Sequence, residues 1–556
     1  MTSRPLAAAL LLAIASSAAA VQPQVVAMQV TTGEARPISR FIYGLNWAEL
    51  SRVWGSQVPR GITLNRLGGN RTSAWDWETG ASNCGNDCDG KFPNDGHLAG
   101  AGPGGVVKPG AAWAFSHQAG LLATVPMLGW VAGDTAGPVS LKLPVAQRRA
   151  TRFKVSKARK GAPFAASPDL GDRLTYQDEF VAWLERTYPA AGRDAQRPIF
   201  YSLDNEPDLW GSTHEEVRGD RRGEGKYVLT GYDELVDLSI EYASAIKSVA
   251  PGSLVFGPAL SGWNGYQNLF HNDLVDRARL PFFLAAYLAK MHRAGLQPQG
   301  RLLDVLDVHW YPEATSTRFQ AVSNEWAEQD SAMIQARVQA PRSLWDPGYK
   351  ERSWVSDAAG GPVRLIPRLR DLVARHAPGT RLAITEYYYH RGGDISGGVA
   401  QADALGIFGR EGLFAATLWP QGAVYAYQGD LDRTYACVMA AFRIYRDYDG
   451  QGAAFGDLSL PASTADVEST SLYASADSAM PGRLVLVIIN KTERPIDADL
   501  SLPGTASGSP AQVWQLTGGV GECQGPTRVA PDVPVVAGTL KVRLPPLSVS
   551  TVALRR

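Results

Sequence analysis

Eight short apolar runs alternate with helical runs along about 400 residues of this 556-residue chain, and that alternation limits the folds open to it more than any other feature. The runs are Phe41 to Asn46, Ile62 to Leu67, Leu122 to Trp130, the start of Pro198 to Trp210, Ser253 to Gly257, Leu303 to Tyr311, Arg381 to Tyr387 and Leu413 to Trp419. Between them Ala111 to Gln118, Tyr176 to Tyr188, Tyr232 to Val249, Pro281 to Ala294 and Val363 to Arg375 read as helices. The clearest is Tyr232 to Val249, where Leu235, Leu238, Tyr242, Ile246 and Val249 share one face. Thr230 is its expected cap, and Pro251-Gly252 ends it. The pattern predicts an α/β fold, a (β/α)8 TIM-type barrel. An open doubly wound sheet fits less well, because no glycine-rich phosphate loop opens the first unit.

From about Ser459 the apolar period falls to two. Thr470 to Ala474, Leu484 to Asn490, Ile496 to Leu502, Ala511 to Leu516, Thr539 to Leu544 and Val549 to Leu554 are short strands split by Gly, Pro, Asn and Asp, a β-sandwich pattern. No Pro/Ser-rich linker precedes them, so the sandwich is expected to dock on the barrel. A content of 45% hydrophobic and 19% charged residues supports a large core.

The 54 basic and 54 acidic residues cancel without long like-charge runs, so nothing points to nucleic acid or an anionic membrane. Fifteen Trp, 20 Tyr and 16 Phe suit a neutral partner with flat faces, such as a sugar ring, although many will be ordinary core aromatics. Residues 1–20, with one Arg, an apolar stretch from Leu6 to Ile14 and a close on Ala18-Ala19-Ala20, read as a secretory signal peptide. No later run is long enough for a membrane helix, so an exported protein beginning near Val21 is expected, extracellular or periplasmic. Export permits disulfides, and Cys84 and Cys88 are placed to close a small loop. Cys437, in an apolar helical run, reads as a buried free thiol rather than a partner of distant Cys523. The cysteine spacings resemble no zinc site, and no HExxH occurs among the eight His.

Two strands end in the same unusual way. Ile199 to Leu203 is apolar and β-prone, then delivers Asp204-Asn205-Glu206 before Pro207 stops it; Arg381 to Tyr387 carries Glu386 near its end. Barrel enzymes place reacting groups at the C-terminal ends of strands, and strands four and seven can aim at one point. Paired carboxyls suit a glycosidase, one protonating the leaving oxygen while the other attacks the anomeric carbon or activates water. Asn205 is placed to bond the neighbouring 2-hydroxyl. Arg66 and Tyr311 could orient the nucleophile, their alternatives being a structural ion pair and plain packing. Like-charge repulsion from Glu386 is expected to raise the pKa of Glu206. The glycines after Arg66, Gly68 and Gly69, allow close backbone approach to a ligand or another strand.

Six segments together, IYGLNWAE (Ile42 to Glu49), NRLGGNRTSAWDWE (Asn65 to Glu78), YQDEFVAWL (Tyr176 to Leu184), YSLDNEPDLWGSTH (Tyr201 to His214), LDVHWYP (Leu306 to Pro312) and ITEYYYH (Ile384 to His390), resemble glycoside hydrolase family 44. The resemblance covers nearly all of the mature chain. It implies a retaining endo-acting enzyme on β-1,4-glucans, cellulose-type or xyloglucan, with Glu206 as acid/base and Glu386 as nucleophile. It also implies a sandwich joined by the N-terminal segment: residues 21–37 with 457–556, around a barrel of 38–456. Trp47, Trp75, Trp77, Trp210, Trp310, Tyr387 and Trp419 are the expected substrate-binding or supporting aromatics. No cofactor is expected for catalysis; structural Ca2+ or another metal is an expectation of the resemblance, with no run of acids to identify its ligands. A monomer acting on a polysaccharide, without nucleic acid or membrane, is expected. Leu67 stands where the family pattern has Trp and Tyr388 where it has Asn, departures read as altered substrate contacts. Outside this reading stand a barrel xylanase or mannanase, a metal-dependent hydrolase, and a non-catalytic carbohydrate-binding protein.

Overall fold

The computed structural model describes residues 23–556 apart from 32, 57, 97–101, 192–193, 220–226, 272–281, 297–299, 319, 325–328, 422–428 and 520–521. The leader over residues 1–20 and the start at Val21 lie outside the described residues.

Eight strands close into a parallel barrel: β1 (Gly44–Asn46), β2 (Leu64–Leu67), β3 (Gly120–Val125), β4 (Ile199–Leu203), β5 (Val255–Leu260), β6 (Val305–Trp310), β7 (Arg381–Tyr387) and β8 (Ala415–Leu418). The ring closes where Thr417 and Leu418 pair with Gly44 and Leu45. Helices Val107–Ser116, Gln177–Thr187, Tyr232–Val249, Phe283–Ala294, Leu365–His376 and Ile395–Glu411 return the chain between successive strands from β2 to β8. Thr230 does not cap its helix. Gly231 holds the cap position, its N–H donates to the Glu234 carboxylate at 3.0 Å, and the Thr230 hydroxyl donates to the Pro207 carbonyl.

The barrel interior is layered by the two-residue period of its strands. Leu64, Leu122, Phe200, Phe256, Val305 and Ala383 are in one apolar cluster. Two residues further along, Arg66, Thr124, Ser202, Asp307 and Thr385 are buried polar groups. Apolar contacts thus seal the bottom, and polar chemistry collects toward the C-terminal mouth.

The sandwich has a four-stranded sheet, in order Ala462–Thr464, Gln24–Val30, Ile496–Ser501, Thr539–Leu544. Facing it is a seven-stranded sheet, in order Arg36–Pro37, Leu458–Leu460, Thr470–Ala476, Arg483–Asn490, Ser548–Arg555, Pro510–Gly519, Glu522–Pro534. Thr539–Leu544 alternates buried and exposed positions after its first residue, as a strand covered on one face should. Arg483–Asn490 is buried along all but its first residue. Leu484, Leu486 and Ile488 enter the sandwich core, whereas Val485, Val487 and Ile489 belong to the cluster that fills the barrel's helical layer. Each such side chain, fully buried, contributes about 1.5–3 kcal/mol, so the domain junction is itself core. A buried ion pair, Lys491 Nζ to Asp403 at 3.2 Å, crosses the same junction.

The cysteines correct the sequence reading. Cys84 and Cys88 are bonded, and so are Cys437 and Cys523, so Cys437 is not a free thiol. The reason is a strand the sequence hid: Glu522–Pro534 pairs with Pro510–Gly519, lies at a sheet edge where its prolines are tolerated, and brings Cys523 against the helix Ala436–Arg446.

Candidate active site

Four strand ends converge at the mouth of the barrel. On β6, Val305, Asp307 and His309 face inward at alternate positions and Tyr311 follows just past its end. On β7 the period is broken. The register shifts between the pairs Val308–Ile384 and His309–Glu386, leaving Thr385 as an extra residue. Thr385 donates to the buried Asp307 at 2.7 Å, and the next residue, Glu386, also reaches the interior, which only a bulge allows. On β4 the turn is made by positive φ at Asp204 (62°) and Glu206 (43°), a region costly for residues with a Cβ. Asp204 is completely buried and anchors that turn. Its carboxylate accepts from the N–H groups of Asn205 at 2.7 Å and Leu128 at 3.1 Å, from Met127 N–H, and from the Ser73 hydroxyl.

Arg66, fully buried on β2, joins these ends. One terminal nitrogen donates to Glu386 Oε1 at 2.8 Å and Asn46 Oδ1 at 3.0 Å; the other donates to Asn205 Oδ1 at 2.8 Å and faces His309 Nε2 at 3.3 Å. The second Glu386 oxygen accepts from the Tyr311 hydroxyl at 2.9 Å. Asn205 spends its carbonyl on Arg66 and on Gly69 N–H at 2.9 Å, and donates from Nδ2 to Asn70 Oδ1 at 3.1 Å. A Cβ on Gly68 would stand 2.2 Å from the Arg66 guanidinium carbon, and one on Gly69 (φ +90°) would stand 2.4 Å from the Trp419 ring. The glycines therefore make room for a side chain of the same site and for Trp419.

Sequence reasoning missed His309. Its Nδ1 lies 2.8 Å from Glu206 Oε1 and 3.5 Å from Glu386 Oε2. A guanidinium can only donate, so Nε2 accepts from Arg66 and the ring proton sits on Nδ1. Burial, and then Arg66, push the His309 pKa down to about 3, against the opposing charge of Glu386. The signal was available: an inward-facing polar series at alternate positions of an otherwise apolar strand.

Glu206 has a pKa raised to about 7. Burial is the largest cause and the charge of Asp87 the next, with Arg66 opposing. Burial and Asp87 lead here, ahead of the repulsion from Glu386 expected from sequence. Oxygens of Glu206 and Glu386 and a nitrogen of His309 all lie within 4.8 Å of one another. These are also ligand-type atoms for a metal ion, the one such group among the described residues. Each has a hydrogen-bond partner already, from His309, Arg66 or Tyr311, so the set is arranged for proton transfer.

The aromatic residues divide. Trp310 is fully buried, Trp47 nearly so and Trp419 partly exposed, with Trp47 Nε1 donating to Gly68 O at 3.0 Å. Trp75, Trp77, Trp210 and Tyr387 are in the core: Trp75 and Trp77 pack on Phe180, Trp210 points its N–H at Asp204, and the Tyr387 hydroxyl accepts from Gln401. These four support the scaffold and do not line a cleft. The two departures from the family pattern are interior as well. Leu67 packs toward Gly110, and the Tyr388 hydroxyl accepts from Gly392 N–H at 2.8 Å. Neither alters a surface a substrate could touch.

A family model for glycoside hydrolase family 44 matches residues 71–314, a span that includes Glu206 and His309 and stops before Glu386. Endoglucanase A of Paenibacillus lautus is 37% identical over 502 residues, and a protein of Caldicellulosiruptor saccharolyticus named beta-mannanase/endoglucanase A is 32% identical over 517. These alignments take in 87% and 88% of this chain but only 66% and 36% of the relatives' own length. The structure of a Paenibacillus polymyxa family 44 xyloglucanase with xyloglucan superimposes with a TM-score of 0.84 at 33% identity, over 96% of this chain and 100% of that one.

Proposed function

The chain belongs to glycoside hydrolase family 44, and from that premise we propose that it is an exported, retaining hydrolase that cuts β-1,4-glucans internally. The observation that carries this reading is the close carboxyl pair: Glu206, pushed up to about 7, has an oxygen within 4.8 Å of one on Glu386. That closeness favours the spacing of about 5–5.5 Å associated with retention over the 6.5–9.5 Å that makes room for an inverting water.

Glu386 attacks the anomeric carbon while Arg66 and Tyr311 fix its two oxygens. Glu206 gives its proton to the departing glycosidic oxygen, and a covalent glycosyl-enzyme results. His309 occupies Glu206 Oε1, which leaves Oε2 to carry the proton. Water then enters, Glu206 removes its proton, and the sugar leaves Glu386 with its original configuration. Asn205 Nδ2 has a second hydrogen beyond the one given to Asn70, suited to the 2-hydroxyl of the sugar being attacked.

Residues 1–20 would direct export, and the two disulfides suit an oxidising compartment. N-terminal sequencing of exported material should begin near Val21. The sandwich, with residues 21–37 and 457–556, is read as one domain fused to a barrel of 38–456, the whole acting as a monomer. The mannanase name of one relative favours a second reading, in which the backbone cut is a mannan. Product analysis on cellulose derivative, xyloglucan, xylan and mannan separates the two, and NMR of the first anomer released decides the mechanism. From a β-glucan the β-anomer should appear first; initial α-anomer would make Glu386 a base instead of a nucleophile.

A further inference from the structure

A five-residue loop that belongs to no barrel strand packs on the segment that follows Glu206. It is closed by the Cys84–Cys88 disulfide and contains one turn of 3-10 helix, Gly85–Asp87. Asn83 fixes its entry, accepting from Gly85 N–H at 2.7 Å while donating to Asn94 Oδ1 at 2.7 Å. Gly85 (φ +59°) lies so close to the segment after β4 that a Cβ there would be 2.2 Å from the Thr213 carbonyl and 3.1 Å from the His214 ring. The loop is therefore pressed against the chain that leaves Glu206. At its tip Asp87 reaches solvent while accepting from Asn70 Nδ2 at 3.1 Å and 3.3 Å on its two oxygens. Asn70 in turn accepts from Asn205 Nδ2 through its side-chain Oδ1, at 3.1 Å. His214 completes the brace, bonding the Asn70 backbone carbonyl oxygen at 2.8 Å through Nε2 and Glu216 at 2.8 Å through Nδ1.

We propose that Asp87 is a positioning residue for the acid step: held by the Cys84–Cys88 loop and bonded to Asn70, it braces Asn205 and places a carboxylate at the end of the hydrogen-bond chain that reaches the residue next to Glu206. The inference rests on the reading of Glu206 as the acid. Electrostatics agree with the geometry, since Asp87 is the foremost charge raising the pKa of Glu206. The other groups around Glu206 divide. Arg66 opposes protonation, neutral His309 donates to Oε1, and Glu386, Asp208, Tyr266 and Tyr311 complete the surroundings. Around Asp87 itself stand Asn70, His214 and Arg71. Asn70 would then carry two functions, aligning Asn205 for the substrate and anchoring the charge that tunes its neighbour.

The test is to titrate Glu206 directly, by NMR of protein carrying carboxyl-labelled glutamate, with Glu206→Gln to assign the signal, and to record the pH profile of kcat/KM on a glucan. Asp87→Asn keeps an acceptor for Asn70 and removes the charge. It should move the Glu206 midpoint and the basic limb of the profile together to lower pH. Asp87→Glu should restore both, and Cys84→Ser/Cys88→Ser should shift them in the same direction as Asp87→Asn by freeing the loop. An unchanged Glu206 midpoint in folded Asp87→Asn overturns the proposal. A midpoint that moves while the basic limb stays upholds the coupling and instead removes Glu206 from the role of acid.

Discussion

His309 Nδ1 lies 2.8 Å from Glu206 Oε1. Because Arg66 already occupies Nε2, this bond fixes both the tautomer of the ring and the choice of oxygen that carries the acid proton. His309→Ala should lower kcat on glucans roughly 10- to 100-fold, up to the lower end of what general acid–base catalysis supplies, because the ring orients the acid and does not itself transfer the proton. His309→Asn, whose amide can replace Nδ1–H, should recover part of the loss. Steady-state kinetics on both variants, with circular dichroism to confirm folding, make the check; equal rates for wild type and His309→Ala would leave the ring a packing role.

The pKa of Glu206 near 7 sets the sign of two pH effects. Activity needs the protonated acid, so kcat/KM should fall above about pH 7. Stability runs the same way. A carboxyl whose folded pKa is raised contributes its full stability below its unfolded value of 4.5 and loses it as pH rises through 7. Glu206→Gln should therefore be more stable than wild type at pH 8, by on the order of 1–3 kcal/mol, and nearly equal to it at pH 4. Thermal melts of the two proteins at both pH values are the measurement. His309, depressed to about 3, acts oppositely: its contribution is lost as pH falls below 6.5.

The barrel and the meeting of Glu206 with Glu386 could be read from sequence because both rest on local pattern: strand and helix periods, and polar residues at the ends of apolar strands. What depended on an irregularity could not. The two-residue period allows only one of Thr385 and Glu386 to face inward, and the bulge on β7 that admits both has no marker in RLAITEY. Trp75, Trp77, Trp210 and Tyr387 have the residue types of a sugar platform but sit in the core, a distinction set by tertiary packing. Glu522–Pro534 carries proline and glycine that argue against a strand, so the approach of Cys523 to Cys437 went unseen.

The Cys437–Cys523 disulfide closes a loop with a sequence separation of 86 and ties a barrel helix to the sandwich edge. Limiting the unfolded chain in this way is worth about 2–4 kcal/mol. Cys437→Ser/Cys523→Ser should melt several degrees below wild type while keeping kcat near the wild-type value, because the bond joins a helix and a sandwich edge strand and not the barrel strands that carry the carboxyl pair. A melt unchanged by the double substitution would show that the shared core of Val485, Val487 and Ile489 holds the junction without the bond.

Removing each carboxyl separately distinguishes their roles more sharply than loss of activity does. Without Glu386 there is no nucleophile, so Glu386→Ala should lose most turnover on every substrate; the vacated space beside Arg66 and Tyr311 can then admit azide, which attacks once and gives an α-glycosyl azide. Glu206→Ala keeps the nucleophile, so an activated aryl glycoside, whose leaving group needs little protonation, should still form the glycosyl-enzyme. Azide then takes the place of the base-activated water and inverts the second centre, so two inversions give a β-glycosyl azide. The anomer of the azide product, read by NMR from each variant, is the deciding measurement. If the two variants gave the same anomer, Glu206 and Glu386 could not stand on opposite sides of the covalent step.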